Sequence, residues 1–376
     1  MKSSMSLFAL IVIWAGLFAA PATAEAPKVV TWNINGGEQD EDILAGHALD
    51  MMLDIGDFDI IVLQEVISLE QVARIAEKIG FEHWAISDFS PPVEITEKWF
   101  ASLEVAVLSR TPFVKVSEWD TTGKLPNGDA YDPRSSDPDV PTESLDLGLT
   151  ISDAERPSRG FLRVDFADGL SVYATHWKSS GNAKGDDDLE NAAKRENNAR
   201  GIAKDASDLL ASGRSILVAG DFNIQPIGKH VRVGTDVTVD CTPSLGNCGS
   251  GGLDGYDDSM KIVSDIGNGF RLLSADIAPT YLAGDFGPGA IDHIFVAGPL
   301  APDFAVASTI SIAEDRYFGS DHAPVFSRVG PIVDRETDSD VFDTNMAAER
   351  DAKIRRLVRE VRERLDILEQ MASENR

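Results

Sequence analysis

Short apolar runs rich in β-branched residues recur along the chain and are separated by stretches whose apolar positions repeat with helical spacing. A short apolar run bounded by turn-forming residues predicts a strand. Strands are predicted at Lys28–Trp32, Ile60–Leu63, Val105–Leu108, Phe161–Phe166, Ser171–Thr175, Ser215–Ala219 and Ile291–Ala297. The helical spacing predicts helices in EDILAGHALDMMLDIG, LEQVARIAEKIG and AAKRENNARGIAKDASDLLASG. Each of these closes at a glycine, the residue that most readily ends a helix. Strands mixed with helices along one long stretch predict an α/β sandwich.

Two connections interrupt this pattern. Residues 120–158 and 227–259 are rich in Asp, Pro, Gly and Ser, and loops of that length inside a compact domain are either functional or mobile. At the other extreme, residues 1–24 carry an early lysine, an apolar stretch from Leu7 to Ala20 and the small-residue end Ala22-Thr23-Ala24. That is the pattern of a secretory signal peptide cut before Glu25, and it predicts a secreted or periplasmic protein. The apolar stretch is short for a membrane anchor, and no later segment is apolar enough to cross a bilayer. The chain therefore reads as a signal peptide (1–24), one folded domain (25–330) and a tail (331–376). In the tail the polar linker DRETDSDVFDTN precedes an amphipathic helix from Met346 to Asn375. Its apolar stripe of Ile354, Val358, Val361, Leu365 and Leu368 either packs on the protein's own body or pairs with a second helix in self-association.

Charge narrows the range of partners. The sequence holds 62 acidic against 34 basic residues, a net charge of −28. Such a surface repels polyanions and anionic lipid, which excludes tight non-specific binding of nucleic acid through counterion release. Weak binding of nucleic acid at a local site survives this argument, because salt screens the repulsion. Cys241 and Cys248 are the only cysteines. In an oxidising compartment they close a small loop as a disulfide, two reduced thiols being the alternative, and a zinc site lacks further ligands.

The candidate chemistry sits where strands end. In AGDFNIQP, residues 219–226, Asp221 and Asn223 share one face of an extended chain while Phe222 takes the other. Asn33 and Asn35 repeat this spacing in TWNING, and IIVLQEV ends on Gln64 and Glu65. YATHWKS supplies His176 and Lys178, AIDHIFV supplies Asp292 and His293, and GSDHAPV supplies Asp321 and His322. Three of the six histidines fall in these few stretches, so chance clustering explains them poorly. Carboxylates and amides without thiols suit a hard cation such as Mg²⁺ or Mn²⁺. Imidazoles beside them donate to phosphate oxygens or move protons near neutral pH. Together these groups equip a site for attack of water on a phosphate ester.

In this order the motifs WNING, LQE, LSRTPF, THWKS, GDFN, IDHIF and SDHAPV resemble those of the endonuclease/exonuclease/phosphatase superfamily, the DNase-I-like proteins, from Lys28 to Ser327. The resemblance implies a four-layered α/β sandwich of two packed mixed β-sheets flanked by helices, with a divalent-metal phosphoesterase site at one end. It implies Glu65 as the principal metal ligand, Asn33 holding metal or phosphate, and Asp321 close to the metal. Asp221 would orient or deprotonate the attacking water and Asn223 would bind the scissile phosphate. His322 would contact phosphate or shuttle a proton, its tautomer set by Asp292, and His176 would be the second imidazole. Whether Asp221 or His322 is the base stays open. Arg110, Arg159 and Lys178 are further candidates for substrate phosphate, with strand capping as the alternative for Arg110, and His293 reads as a core residue.

The substrate is the open part of this reading. Arg159, Lys178, Lys184, Lys194, Arg195 and Arg200 gather basic residues near His176, and either rim a phosphodiester site or form the solvated face of a helix. A secreted nuclease acting on DNA or RNA is the first reading. A sphingomyelinase-like phospholipid phosphodiesterase is the second, with Trp99-Phe100 or Trp119 either as aromatics for a bilayer interface or, equally, as core residues. A sugar-phosphate or other small-molecule phosphatase is a third, and a non-catalytic secreted binding module a fourth. Asp254, Asp257 and Asp258 offer a structural Ca²⁺ site, against a plain acidic loop, since their spacing is not that of an EF-hand.

Overall fold

A computed structural model of the chain describes residues 26–36, 40–89, 103–120, 132–152, 157, 159–180, 188–225, 230–232, 238–239, 256–281, 289–310 and 318–327. The signal peptide, Trp99-Phe100, Lys184, Cys241, Cys248, Asp254 and the C-terminal helix lie outside the described residues.

The strands, in chain order, are β1 (Val29–Asn33), β2 (Ile60–Val66), β3 (His83–Ile86), β4 (Glu104–Ser109), β5 (Phe113–Trp119), β6 (Arg134–Ser135), β7 (Thr142–Ser144), β8 (Phe161–Phe166) and β9 (Leu170–His176). They continue with β10 (Ser215–Asp221), β11 (His230–Arg232), β12 (Thr238–Val239), β13 (Tyr256–Asp257), β14 (Arg271–Leu272), β15 (Asp292–Ala297), β16 (Ser308–Thr309) and β17 (Val325–Ser327). The helices are α1 (Glu41–Ile55), α2 (Leu69–Ile79), α3 (Leu189–Ala211) and the short α4 (Ser259–Ser264). Asp40 and Ser68 cap α1 and α2 by accepting backbone N–H groups, and Gly80 closes α2 in the left-handed conformation.

Two mixed seven-stranded sheets form, ordered β16-β17-β1-β2-β4-β3-β6 and β14-β15-β10-β9-β8-β5-β7. At the centre of each, a parallel pair (β1 with β2, β9 with β10) is flanked by antiparallel neighbours. Alternation along the strands makes three apolar layers. Val29, Val62, Val107, Val164, Val172, Leu217 and Ile294 pack between the sheets. The opposite faces bury Val30, Trp32 and Leu63 under α1 and α2, and Tyr173, Val218, Phe222 and Phe295 under α3. The result is the four-layered α/β sandwich that the motifs imply.

The seven strands and three helices predicted between residues 28 and 297 are all present, with ends shifted by a few residues. Strands within the two long connections are an addition: β6 and β7 lie in 120–158, and β11 and β13 pair in 227–259. Strands of two or three residues have no periodicity of their own and exist only through distant partners. Trp119 takes the core reading of the two open to it. It is buried against Phe161, ring centroids 5.8 Å apart, so it has no surface to offer a bilayer. Among the described residues no helix is long and apolar enough to cross a membrane.

Candidate active site

Period-two alternation carries four polar side chains into the space between the sheets. Asn33 follows Val29 and Thr31 on the inner face of β1, and His176 follows Val172 and Ala174 on β9. Asp221 follows Leu217 and Ala219 on β10, and the inner face of β15 begins with Asp292. Asp221 stands in register with His176 on one side and with Asp292 on the other. The β9 neighbour also crowds Gly220, where a Cβ would fall 1.9 Å from the Thr175 carbonyl oxygen.

Glu65 arrives by another route. Alternation alone would send it to the helix-covered face with Leu63, but β2 is bulged between Gln64 and Val66 and Glu65 adopts φ 61°. The bulge turns its carboxylate back toward the sheet end, as bulges at active sites do. Besides Glu65, the non-glycine residues with left-handed φ among those described are Asn35, Asn223 and Phe318. Such backbone costs about 1–3 kcal/mol per residue and persists where the surroundings enforce it. Asn35 donates its N–H to Asn33 Oδ1 at 3.1 Å, and Asn223 donates its N–H to Asp221 Oδ1 at 2.8 Å. Both strained turns are thus tied to the residue two positions earlier.

The side chains converge closely. Asn33 Nδ2 donates to Glu65 Oε1 at 3.2 Å and to Asp221 Oδ2 at 3.1 Å, so two carboxylates meet on one amide. His176 Nε2 lies 3.6 Å from Asp221 Oδ2 and 3.9 Å from Glu65 Oε1. His322 Nε2 lies 3.8 Å from Asp221 Oδ2, while its Nδ1 is 2.9 Å from Asp292 Oδ2. Asn223 Nδ2 donates to the Trp177 carbonyl at 3.1 Å. Asp292 Oδ1 is buried without a hydrogen-bond partner among the described residues, and donor atoms of Asp221, Asp292 and His322 lie within 4.8 Å of one another.

Burial and charge tune these groups in opposite directions. Burial, and after it the Asp292 carboxylate, holds Asp221 above the usual carboxylate range, against the pull of His322. Burial alone would lower His322, but Asp292 and Asp221 outweigh it and hold the imidazole above its ordinary value. Burial pushes His176 well below its ordinary value, with Arg159, His322 and Lys178 adding to the effect. The site therefore pairs a neutral imidazole with a cationic one on either side of Asp221.

The remaining sequence candidates divide. Arg159 is partly buried and lies in the field of Glu65 and Asp221, its guanidinium lowered by burial. Lys178, on the same rim, is lowered by burial and then by Arg159, Lys194 and Arg195. Asp321 is partly exposed and acts on His322 through charge. Arg110 is elsewhere. It follows the last residue of β4, which pairs with the first residue of β2, and binds the Phe58 carbonyl and Asp57 at the opposite end of the sheet. Its place is a strand cap, for which its position at the end of an apolar run is already a sign.

Arg195 is also removed from the basic rim, because Asp188 and Asp257 bury its guanidinium, which in turn donates to the Lys178 carbonyl. That pairing takes Asp257 from the calcium site the acidic stretch offered. His293 is a core residue, bonded to Ser274 and the Ile224 carbonyl and lowered by burial to about 4. Sequence reasoning missed two residues that complete the site. Thr280 donates to Asp292 Oδ2 at 2.6 Å, and Ser320 donates to the Asn33 carbonyl at 2.7 Å while accepting from the His322 N–H. Thr280 is a lone threonine with no signal that would have singled it out, whereas Ser320 opens the SDHAPV motif and only its role went unread.

The chain is similar to several known proteins. No curated protein matches it in sequence. Among solved structures it is similar to a 3'-5' exonuclease from Neisseria meningitidis, with 16% identity, a TM-score of 0.49 and coverage of 80% of this chain and 99% of the other. It is similar also to an AP endonuclease from Archaeoglobus fulgidus, with 15% identity, a TM-score of 0.47 and coverage of 80% and 98%. A beta toxin from Staphylococcus aureus matches with 12% identity, a TM-score of 0.47 and coverage of 81% and 100%. The model of the Endonuclease/Exonuclease/phosphatase family matches residues 30–322, which span the strand ends from Asn33 to His322. The chain belongs to that family and is a hydrolase of phosphoric esters.

Proposed function

We propose that this protein is an exported, divalent-metal-dependent phosphodiesterase that hydrolyses nucleic acid by attack of water on the phosphodiester. The observation that carries the reading is the meeting of a half-buried Glu65 with the buried Asn33, Asp221, His176, Asp292 and His322 at one end of the sandwich. The family is divalent-metal dependent, and the residues fit a cation. Oxygen donors dominate, two carboxylates share one amide, and a buried carboxylate oxygen of Asp292 has no partner among the described residues. Glu65 and Asn33, with Asp321, would hold Mg²⁺ or Mn²⁺. Asp221, Asp292 and His322 form the tightest donor group, but His322 Nδ1 is engaged by Asp292, and this reading keeps the three for water and phosphate. When bound, the ion supplies charge stabilisation for the phosphoryl oxygens.

The chain's own groups supply the rest. Asp221, held above the carboxylate range beside the cationic His322, is suited to orient water and accept its proton. His322, clamped through Nδ1 by Asp292, presents Nε2 as a donor. The neutral His176 and the anchored amide of Asn223 face the same space as further hydrogen-bond donors to phosphate. Arg159 and Lys178 add the local positive charge that an acidic protein needs to admit a polyanion. Burial of Trp119 removes one of the two aromatic candidates from the lipid reading. The leader-like residues 1–24 ahead of a catalytic unit at 25–330 support export.

Hydrolysis of plasmid DNA, sphingomyelin and bis-p-nitrophenyl phosphate is measured with Mg²⁺, Mn²⁺ or EDTA. Metal-dependent nicking of DNA that disappears in both D221A and H322A is the expected result. Cleavage of lipid alone, or activity retained in both variants, would overturn the proposal.

A further inference from the structure

We infer that Tyr281 is a substrate-contacting residue of this site, its ring fixing the plane of His322 and its hydroxyl donating to a phosphate oxygen of the bound ester. The inference rests on the phosphoesterase reading above and adds a residue that no sequence motif marks.

The placement of Tyr281 is determined by backbone on both sides. Tyr281 and Gly289 exchange N–H groups at 3.0 and 2.9 Å, and Ala323 donates to the Thr280 carbonyl at 2.7 Å. Residues 280–281 are thereby held between the start of β15 and the His322 turn, with Tyr281 in bridge position opposite His322. Thr280 turns inward and is completely buried, donating to the same Asp292 oxygen that receives His322 Nδ1. Its neighbour turns the other way. The Tyr281 ring lies over the His322 imidazole with centroids 4.8 Å apart and planes at 39°. Asp292 sets where His322 Nδ1 points; the Tyr281 face restricts rotation about that bond and so directs Nε2 toward Asp221.

The hydroxyl is what a packing role does not explain. Tyr281 is only partly buried, and its hydroxyl makes no hydrogen bond among the described residues. A partly exposed phenol beside His322 has its O–H free to exchange solvent for an oxygen of the substrate. Burial, and after it Asp321, Asp221 and Glu65, raises the phenol above its ordinary value, which keeps it protonated and within the electrostatic reach of the site. A neutral O–H is suited to donate to an anionic oxygen brought in by substrate.

Steady-state kinetics on bis-p-nitrophenyl phosphate and on a short DNA duplex, with wild type, Y281F and Y281L, tests the assignment. Y281F should raise KM about tenfold at unchanged kcat, the loss of one hydrogen bond to a charged group. Y281L should lose kcat as well, because His322 is released, while Y281F retains it. Wild-type KM in Y281F, or wild-type kcat in a folded Y281L, overturns the assignment. Thermal melting checks the fold of Y281L, and Y281F, which removes a single unbonded oxygen, decides the question if Y281L unfolds. An inert wild-type protein would overturn the phosphoesterase reading and this inference together, whereas an active enzyme indifferent to Tyr281 overturns this inference alone.

Discussion

Asp221 is the residue on which the site's other groups bear, with Asn33, His176 and His322 all within 4 Å of one carboxylate oxygen. Its oxygen Oδ1 is spent on the Asn223 N–H, which leaves Oδ2 as the oxygen directed at the shared space. His322 depends on Asp292 in the same way, since its Nδ1 has that single carboxylate as its counter-charge at 2.9 Å. Replacing Asp292 with Asn keeps the shape and removes the charge, and the amide can present a donor where His322 needs an acceptor. The D292N enzyme is expected to lose about 10²–10⁴-fold in kcat, with KM little changed, in the bis-p-nitrophenyl phosphate assay. A kcat within a few-fold of wild type would show that the pair does not serve the reaction.

Elements bring these residues together, and α3 is fixed to its sheet by one close fit. A Cβ on Gly201 would fall 2.2 Å from the buried ring of Trp119. In an exposed helix a Gly→Ala change gains about 1 kcal/mol; here overpacking reverses the sign. G201A should be destabilised by about 1–3 kcal/mol in urea titrations, the usual range for a forced core insertion. A stabilised G201A would mean that α3 does not sit this closely on β5. The same helix start is anchored by Arg195, whose bonds to Asp188, Asp257 and the Lys178 carbonyl join α3 to the strand end that carries His176.

Across the whole molecule, the two sheets enclose an acidic pair. Glu104 on β4 and Glu118 on β5 are buried, and they accept from the adjacent N–H groups of Phe89 and Asp88 respectively. Burial, followed for Glu118 by the charge of Glu104, raises both carboxyls well above their ordinary value of 4.5. The folded protein then keeps protons that the unfolded chain releases above that pH. Stability should fall as pH rises from about 4.5 until the folded groups themselves ionise. E118Q retains the acceptor without the charge, so its melting temperature should fall less between pH 5 and pH 8 than that of wild type. Equal slopes in the two proteins would remove Glu118 as the source.

Period-two alternation is written in the local sequence, and so the faces of Asn33, His176, Asp221 and Asp292 are legible from the order of residues alone. The helices are legible for the same reason, through their apolar spacing and closing glycines. Glu65 is recognisable by motif but not by face, because its orientation comes from a bulge created by pairing with β4. Arg110 reads as a phosphate ligand or a cap and is a cap at the far end, since a sequence does not state which end of a strand a loop occupies. Thr280 and Tyr281 give no local signal at all, and Ser320 is marked only as the first residue of the SDHAPV motif, without a role. Thr280 and Ser320 matter through partners 12 and 287 positions away, and only the folded packing of β15, β1 and the His322 turn brings such partners within reach.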